Sequence, residues 1–217
     1  MQYNIIASMV QKYRTSMVLL CLLNSAVFAH KPIWSNELGI DANTAIQLID
    51  PNISQVVYRP LPAGCHQIWT TCTASGNFNM YLQIGIPVLD RLKNFRPSLV
   101  LIGPGLSDAN LPFKIPHGYG ATVIDTNSAE PRFFHEPFTG TDSWILATKT
   151  ITLPKSGRFY VVAYDPKSAE GKLWIAVGQK ERFGIADFFT FGQTKKRVRA
   201  FHELDTKSST DVNNTRK

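Results

Sequence analysis

The sequence predicts an all-β chain: an antiparallel β-sandwich or jelly roll with an N-terminal signal peptide and a C-terminal helix. Three observations lead there. Short apolar runs recur over residues 53–178 with period-two alternation and β-branched or aromatic enrichment. Gly, Pro, Asn and Asp interrupt these runs at short spacing. Long helical stripes are absent between Ser54 and Gly178, which argues against alternating βαβ units and leaves two packed antiparallel sheets as the way to bury the strands.

The chain opens with an export pattern. Met1 to Ser16 is polar and carries Lys12 and Arg14 with no acid; Met17 to Ala29, MVLLCLLNSAVFA, is apolar and ends in small residues at Ala26 and Ala29. A charged start, an apolar run of about 7–15 residues and an A-x-A end mark a signal peptide. A membrane-spanning helix needs about 20 apolar residues, more than this run supplies. Cleavage after Ala29 leaves 188 of the 217 residues, about one domain, and takes two of the +7 formal charges with it. The expected division is 1–29 signal peptide, 30–183 sandwich, 184–204 amphipathic helix and 205–217 disordered tail. The expected location is secreted or periplasmic. A mildly basic charge spread along the chain does not imply nucleic acid.

The elements follow in order. Asp41–Leu48 is a candidate helix, with Asn43 as its cap. Strands are expected at Ile53–Arg59, Met80–Val88, Leu99–Ile102, Ala121–Ile124, Trp144–Leu153, Arg158–Tyr164 and Lys172–Val177. Each ends at a breaker such as Gly103-Pro104-Gly105, Pro154, Asp165-Pro166 or Gly178. Ile185–Glu203 is a candidate helix in which Phe188, Phe191, Val198 and Phe201 fall near one face and Lys195, Lys196, Arg197 and Arg199 fall mostly elsewhere. Gly192 weakens it by about 1 kcal/mol relative to Ala.

Outside the leader only Cys65 and Cys72 remain, and an even pair in an exported chain points to a disulfide. Residues seven apart on one straight strand cannot bridge, so a Cys65–Cys72 bond requires a turn near His66–Thr71.

The segments IPVLDRLKNFRPSLVLIGPGL, FHEPFTGTDSW and LPKSGRFYVVAYDPKSAEGKLWIAVG together resemble an uncharacterised family of exported bacterial proteins. Their order also resembles the jelly-roll domains appended to secreted bacterial peptidases. The matching residues are Leu99, Leu101 and Pro104, then Gly157, Phe159 and Val162, then Gly171, Leu173, Ile175 and Val177. The resemblance covers about half of the chain beyond the leader. It implies a sandwich that serves as a binding or accessory module and carries over no catalytic residue. The long insertion Leu106–Ser143 and the basic C-terminal helix depart from it.

Two constellations bear on chemistry. With cleavage after Ala29, His30 becomes the first residue, and its amine and imidazole together chelate a metal; a second histidine would complete a copper site of the histidine-brace kind. The candidate metal ligands are His30, His66, His117 and His135, with His202 a further partner. The second constellation is Pro112–Trp144, where Tyr119, His135, Glu136 and Trp144 are candidate ligand-binding residues on a loop. The competing reading of that stretch is a satellite core whose rings pack under the loop. His135-Glu136 lacks HExxH spacing, and the chain has no GxSxG, GxxxxGK[ST] or GxGxxG motif. Asp125, Asp142 and Asp165 read as turn residues, not a calcium loop. Asn52-Ile53-Ser54 and Asn213-Asn214-Thr215 are glycosylation sequons, which matter only in a eukaryotic source.

The functional expectation is an exported, non-enzymatic binding or accessory module that meets a protein or glycan of the envelope. Two alternatives stand beside it. One is a copper-binding protein that uses His30. The other is a membrane-surface protein in which Lys195, Lys196, Arg197 and Arg199 contact anionic lipid.

Overall fold

Alternate side chains of two facing sheets meet in one apolar layer. Leu82, Ile84, Ile86, Leu173, Ile175 and Val177 come from one sheet; Leu99, Leu101, Phe159, Val161 and Ala163 come from the other. Each of these strands reads apolar at every second residue, which places one face in the core. The computed structural model describes residues 30–64, 67–127, 130–182 and 184–205, with the backbone alone for 185–189. The signal peptide at 1–29, Cys65, His66 and the tail beyond Asp205 lie outside the described residues.

The strands are β1 (Lys31–Pro32), β2 (Ile46–Gln47), β3 (Gln55–Leu61), β4 (Gln67–Ala74), β5 (Asn79–Pro87), β6 (Ser98–Gly103), β7 (Gly120–Ile124), β8 (Arg132–Glu136), β9 (Thr141–Thr152), β10 (Gly157–Tyr164) and β11 (Gly171–Val177). A short 3-10 turn spans Asp90–Leu92, and helix α1 spans Ile185–Phe201. One sheet has six strands in the order β1-β3-β11-β5-β9-β8; the other has five in the order β2-β4-β10-β6-β7. Pairing is antiparallel except at two edges, where β1 runs parallel to β3 and β2 parallel to β4. The all-β sandwich with a C-terminal helix is therefore the observed fold.

Three expectations are corrected. Asp41–Leu48 is not a helix: the Asp41 carboxylate accepts the backbone N–H groups of Asn43 and Thr44, which stabilises a turn, and Ile46–Gln47 then pairs with β4. The turn that a Cys65–Cys72 disulfide required does not form. Residues 67–74 instead run as one uninterrupted strand paired residue by residue with β10 from Gln67↔Tyr164 to Ala74↔Gly157. Cys72 is a free thiol buried in the core, where burial pushes its pKa up to about 12. Arg132–Glu136, read as part of a loop, forms edge strand β8 beside β9.

Beyond the core, both sheets have covered outer faces. On the five-stranded sheet, Trp69, Tyr160, Tyr164, Val100 and Ile102 lie under loop residues Leu111, Phe113 and Tyr119. On the six-stranded sheet, Val56, Trp174, Ala176 and Ile145 lie under Phe201 of α1. The α1 side turned to this sheet mixes apolar Val198 and Phe191 with polar Thr190, Gln193, Thr194 and Arg197. Its apolar stripe is thus less continuous than the sequence spacing implied.

Candidate functional site

Between α1 and the outer face of the six-stranded sheet lies a cleft of 530 Å³, within the range of small-molecule sites. Its floor is built by strand alternation. On β3, Val56 and Tyr58 point outward while Val57 joins the core; on β11, Trp174 points outward between core residues Leu173 and Ile175. Gly85 on β5 opposes Trp174, and a Cβ there would sit 2.2 Å from Trp174 Cζ2 and 2.7 Å from the Trp144 carbonyl oxygen. Glycine is thus what lets the indole lie flat across the sheet. The register also shifts at this point: Ile84 pairs with Ala147 and Gly85 with Ile145, leaving Leu146 as the extra residue of a bulge.

The wall comes from β8 and β9. The cross-strand pairs Phe134↔Ser143 and Glu136↔Thr141 face the cleft, whereas Phe133↔Trp144 and His135↔Asp142 face the other way. The residues on either side of β1 add His30 and Trp34, and α1 adds Thr194, Arg197 and Val198.

A hydrogen-bond chain ties the helix to the floor. His202 Nδ1 lies 2.9 Å from the Val198 carbonyl, which can only accept, so Nδ1 carries the proton. His202 Nε2 therefore accepts from Ser143 Oγ at 3.1 Å, and Ser143 Oγ accepts from Trp174 Nε1 at 3.1 Å. Burial holds the His202 imidazole below its ordinary pKa; the nearby Lys172 acts the same way, and the Val198 carbonyl and Asp142 oppose it. Lys172 Nζ and Arg91 converge on the Glu203 carboxylate, and Arg199 donates to the Thr139 carbonyl and pairs with Asp205. These contacts pin the C-terminal end of α1.

The charged groups that line the cleft are Lys31, Glu136, Glu181 and Arg197, beside the two imidazoles of His30 and His202. Glu136 Oε1 accepts the Phe138 backbone N–H at 3.1 Å, and burial raises the carboxyl pKa above its ordinary value. His30 Nδ1 is hydrogen bonded to Ser54 Oγ, and burial lowers its pKa. The Arg197 guanidinium lies 4.1 Å from the Trp34 ring centroid, and Trp34 in turn stacks on Tyr58 at 5.9 Å.

The structure separates the four candidate ligand-binding residues. Glu136 alone lines the cleft. His135 pairs with Asp142 on the opposite face of β8, Trp144 packs on Phe133 and the core, and Tyr119 sits against Tyr160 on the other sheet. The candidate metal ligands are not gathered either. His117 is in an exposed loop, His135 is on the far side of β8, and the Nδ1 of His30 that would chelate with an N-terminal amine is engaged by Ser54. His66 lies outside the described residues. Among the described residues no group of three or more His, Cys, Asp and Glu is placed to hold a metal. Asp125 and Asp165 accept backbone N–H groups of Asn127, Lys167 and Ala169, as turn residues do. Of the four basic helix residues, Arg197 and Arg199 are engaged within the protein as described, while Lys195 and Lys196 are exposed. Among the described residues no helix is long and apolar enough to cross a membrane.

The sequence reasoning missed Trp34, Tyr58 and Trp174, and it offered His202 as a metal partner where the structure makes it a helix anchor. Trp174 and Tyr58 carried a signal, as the outward-facing aromatics of strands whose neighbours are core residues. No family model matches the chain, and no curated protein matches it. Among solved structures it is similar to the pre-peptidase C-terminal domain of a collagenase from Bacillus anthracis, at 10% identity and a TM-score of 0.32, over 60% of this chain and 91% of that one.

Proposed function

We propose that the protein is an exported, non-catalytic binding module whose ligand seats between α1 and the six-stranded sheet. The cleft carries this reading. It is a preformed 530 Å³ space floored by Tyr58 and Trp174, walled by Phe134, and lined also by the charged residues Lys31, Glu136, Glu181 and Arg197. A concave site with an aromatic floor and polar groups that fix orientation is a usual form of a ligand site. Ser143 Oγ donates to His202 Nε2 as a nucleophile does to its base, but both residues are buried and the same oxygen accepts from Trp174 Nε1, so the pair is read as part of the hydrogen-bond chain that anchors the helix. The apolar leader MVLLCLLNSAVFA supports export.

Binding is tested with the neutral dye N-phenyl-1-naphthylamine, whose emission rises in apolar surroundings. The dye should bind the purified protein, and Thr194→Trp, which fills the cleft from the helix side, should abolish binding without lowering Tm. Equal binding by the filled variant would sink the proposal, as would efficient turnover of any substrate by the pure protein. Export is tested by N-terminal mass spectrometry of the secreted chain; an intact Met1 on it would refute cleavage after Ala29.

A further inference from the structure

Three of the four outermost strands of the two sheets are blunted. β1 and β2 are two residues long, and the Ala121 N–H of β7 donates to the Ser107 carbonyl. β8 is different: it runs for five residues, and among the described residues nothing pairs with its outer side. The Glu136 carbonyl accepts the Gly140 N–H, so it is turned to the side of β9. Successive residues of an antiparallel strand turn their backbone groups to opposite sides. Arg132 and Phe134 therefore face β9 as Glu136 does, while Phe133 and His135 present their N–H and C=O groups outward. Such a row is a ready template for another strand. Phe133 also leaves 51% of its surface exposed at this rim.

The strand that β8 matches is β8 itself. It reads Arg132-Phe133-Phe134-His135-Glu136, with opposite charges at its ends and Phe134 at its centre. A second β8 laid antiparallel about a two-fold axis at Phe134 sets Arg132 opposite Glu136 of the second copy, and Glu136 opposite Arg132. Directly opposite residues share a face, so both ion pairs and the Phe134 contact form on the cleft side. On the other side Phe133 meets His135 of the second copy, and these are the residues whose backbone groups point outward. Pro131 and Pro137 fix the register. A slip of two residues in either direction draws one of them into the ladder, where it has no N–H to donate. A slip of one sets outward groups against residues turned the other way. We propose that two copies of this chain associate through β8 into a two-fold dimer, joining their six-stranded sheets edge to edge with both clefts on the same face.

The test is sedimentation velocity of the purified protein over a concentration series, in which it should dimerise reversibly. Arg132→Glu and Glu136→Arg each place like charges opposite one another at both ends of the ladder, and each should weaken dimerisation about 10-fold. Mixing the two variants restores opposite charges at both ends, so the mixture should form a heterodimer about as tight as the parent homodimer. The doubly reversed chain should dimerise like the parent. His135→Pro removes an outward N–H while leaving the β8–β9 bonds intact, and it should abolish the dimer. A parent that stays monomeric overturns the proposal. So does a dimer that neither charge reversal weakens, or a pair of weakened variants that does not recover on mixing. Circular dichroism shows whether each variant is folded; if a single reversal unfolds the chain, the doubly reversed chain and His135→Pro decide the matter, and a monomeric first or a dimeric second refutes pairing through β8.

Discussion

On the outer face of the five-stranded sheet, Trp69, Tyr160 and Tyr164 lie beneath Phe113 and Tyr119 of a loop. On the outer face of the six-stranded sheet, Tyr58 and Trp174 lie beneath a helix and border a 530 Å³ cleft. The two faces start from similar strand chemistry, with aromatic residues at alternate outward positions. They differ in the cover. A loop has no fixed diameter, so it follows the surface and drives Phe113 edge-on against both Trp69 at 5.7 Å and Tyr164 at 5.4 Å. A helix is a cylinder roughly 10 Å across that meets a twisted sheet along a line and leaves space beside it. Here α1 is pinned through Val198, Phe201 and His202 near its end, and the space opens toward Thr194 and Thr190. The lesson is that a filled face and a receptive face can come from the same strand pattern; the covering segment decides which.

The largest expected effect is on the filled face. Trp69→Ala should cost about 3–5 kcal/mol in urea unfolding, because the site is closed by Phe113 and Tyr160 and cannot collapse. Trp69→Phe should cost much less, because Trp69 Nε1 is buried with no hydrogen-bond partner among the described residues and its loss removes no bond to them. A loss near that of alanine would show that the indole N–H has a partner. Adding bulk sharpens the contrast further. Ala121→Phe on the closed face should cost about 1–3 kcal/mol by overpacking, whereas Thr194→Phe beside the cleft should leave Tm within error. Similar losses at both positions would mean the cleft closes in solution.

Acid should act on the receptive face. His30 and His202 both titrate below the ordinary histidine value of 6.5 in the fold, because burial disfavours their cations. The unfolded chain therefore takes up protons first as pH falls, so the neutral imidazoles stabilise the fold above 6.5 and that contribution is lost as pH drops through their lowered values. Thermal melts should show Tm falling between pH 7.5 and 5, and His202→Gln should flatten the curve. An unchanged slope would remove His202 from the account. The smallest effect belongs to the exposed ion pairs. Glu203→Gln breaks the contacts with Lys172 and Arg91 but should cost less than about 1 kcal/mol, and less again in high salt, because solvent screens these partly exposed charges.

The legible parts of the sequence were those where local pattern and final environment agree. Met80–Val88, Arg158–Tyr164 and Lys172–Val177 alternate cleanly and became β5, β10 and β11 with one face in the core. Ile185–Glu203 became α1. Reading failed where a local signal competed with pairing. The two cysteines suggested a closed loop at 65–72, yet Ile68, Trp69 and Thr70 made a better strand than a turn, with the Thr70 hydroxyl donating to the Val161 carbonyl. Pro131 and Pro137 disguised β8, which tolerates them because it is an edge strand flanked by prolines at its ends. Glu136 was named, but alongside His135, its chain neighbour; alternation on β8 sends the two side chains to opposite faces.

The sequence by itself determined the number and kind of layers: period-two apolar runs can hide one face each only in paired sheets, and a basic stretch with spaced phenylalanines can cover one of them as a helix. Only the tertiary structure decided the cleft. Its residues run from His30 through Tyr58, Glu136 and Trp174 to Arg197, separated by long stretches of chain, and no local propensity records their meeting. They meet because hydrogen-bond register places β3, β11, β5, β9 and β8 side by side, and because α1 then lies across them without filling the space.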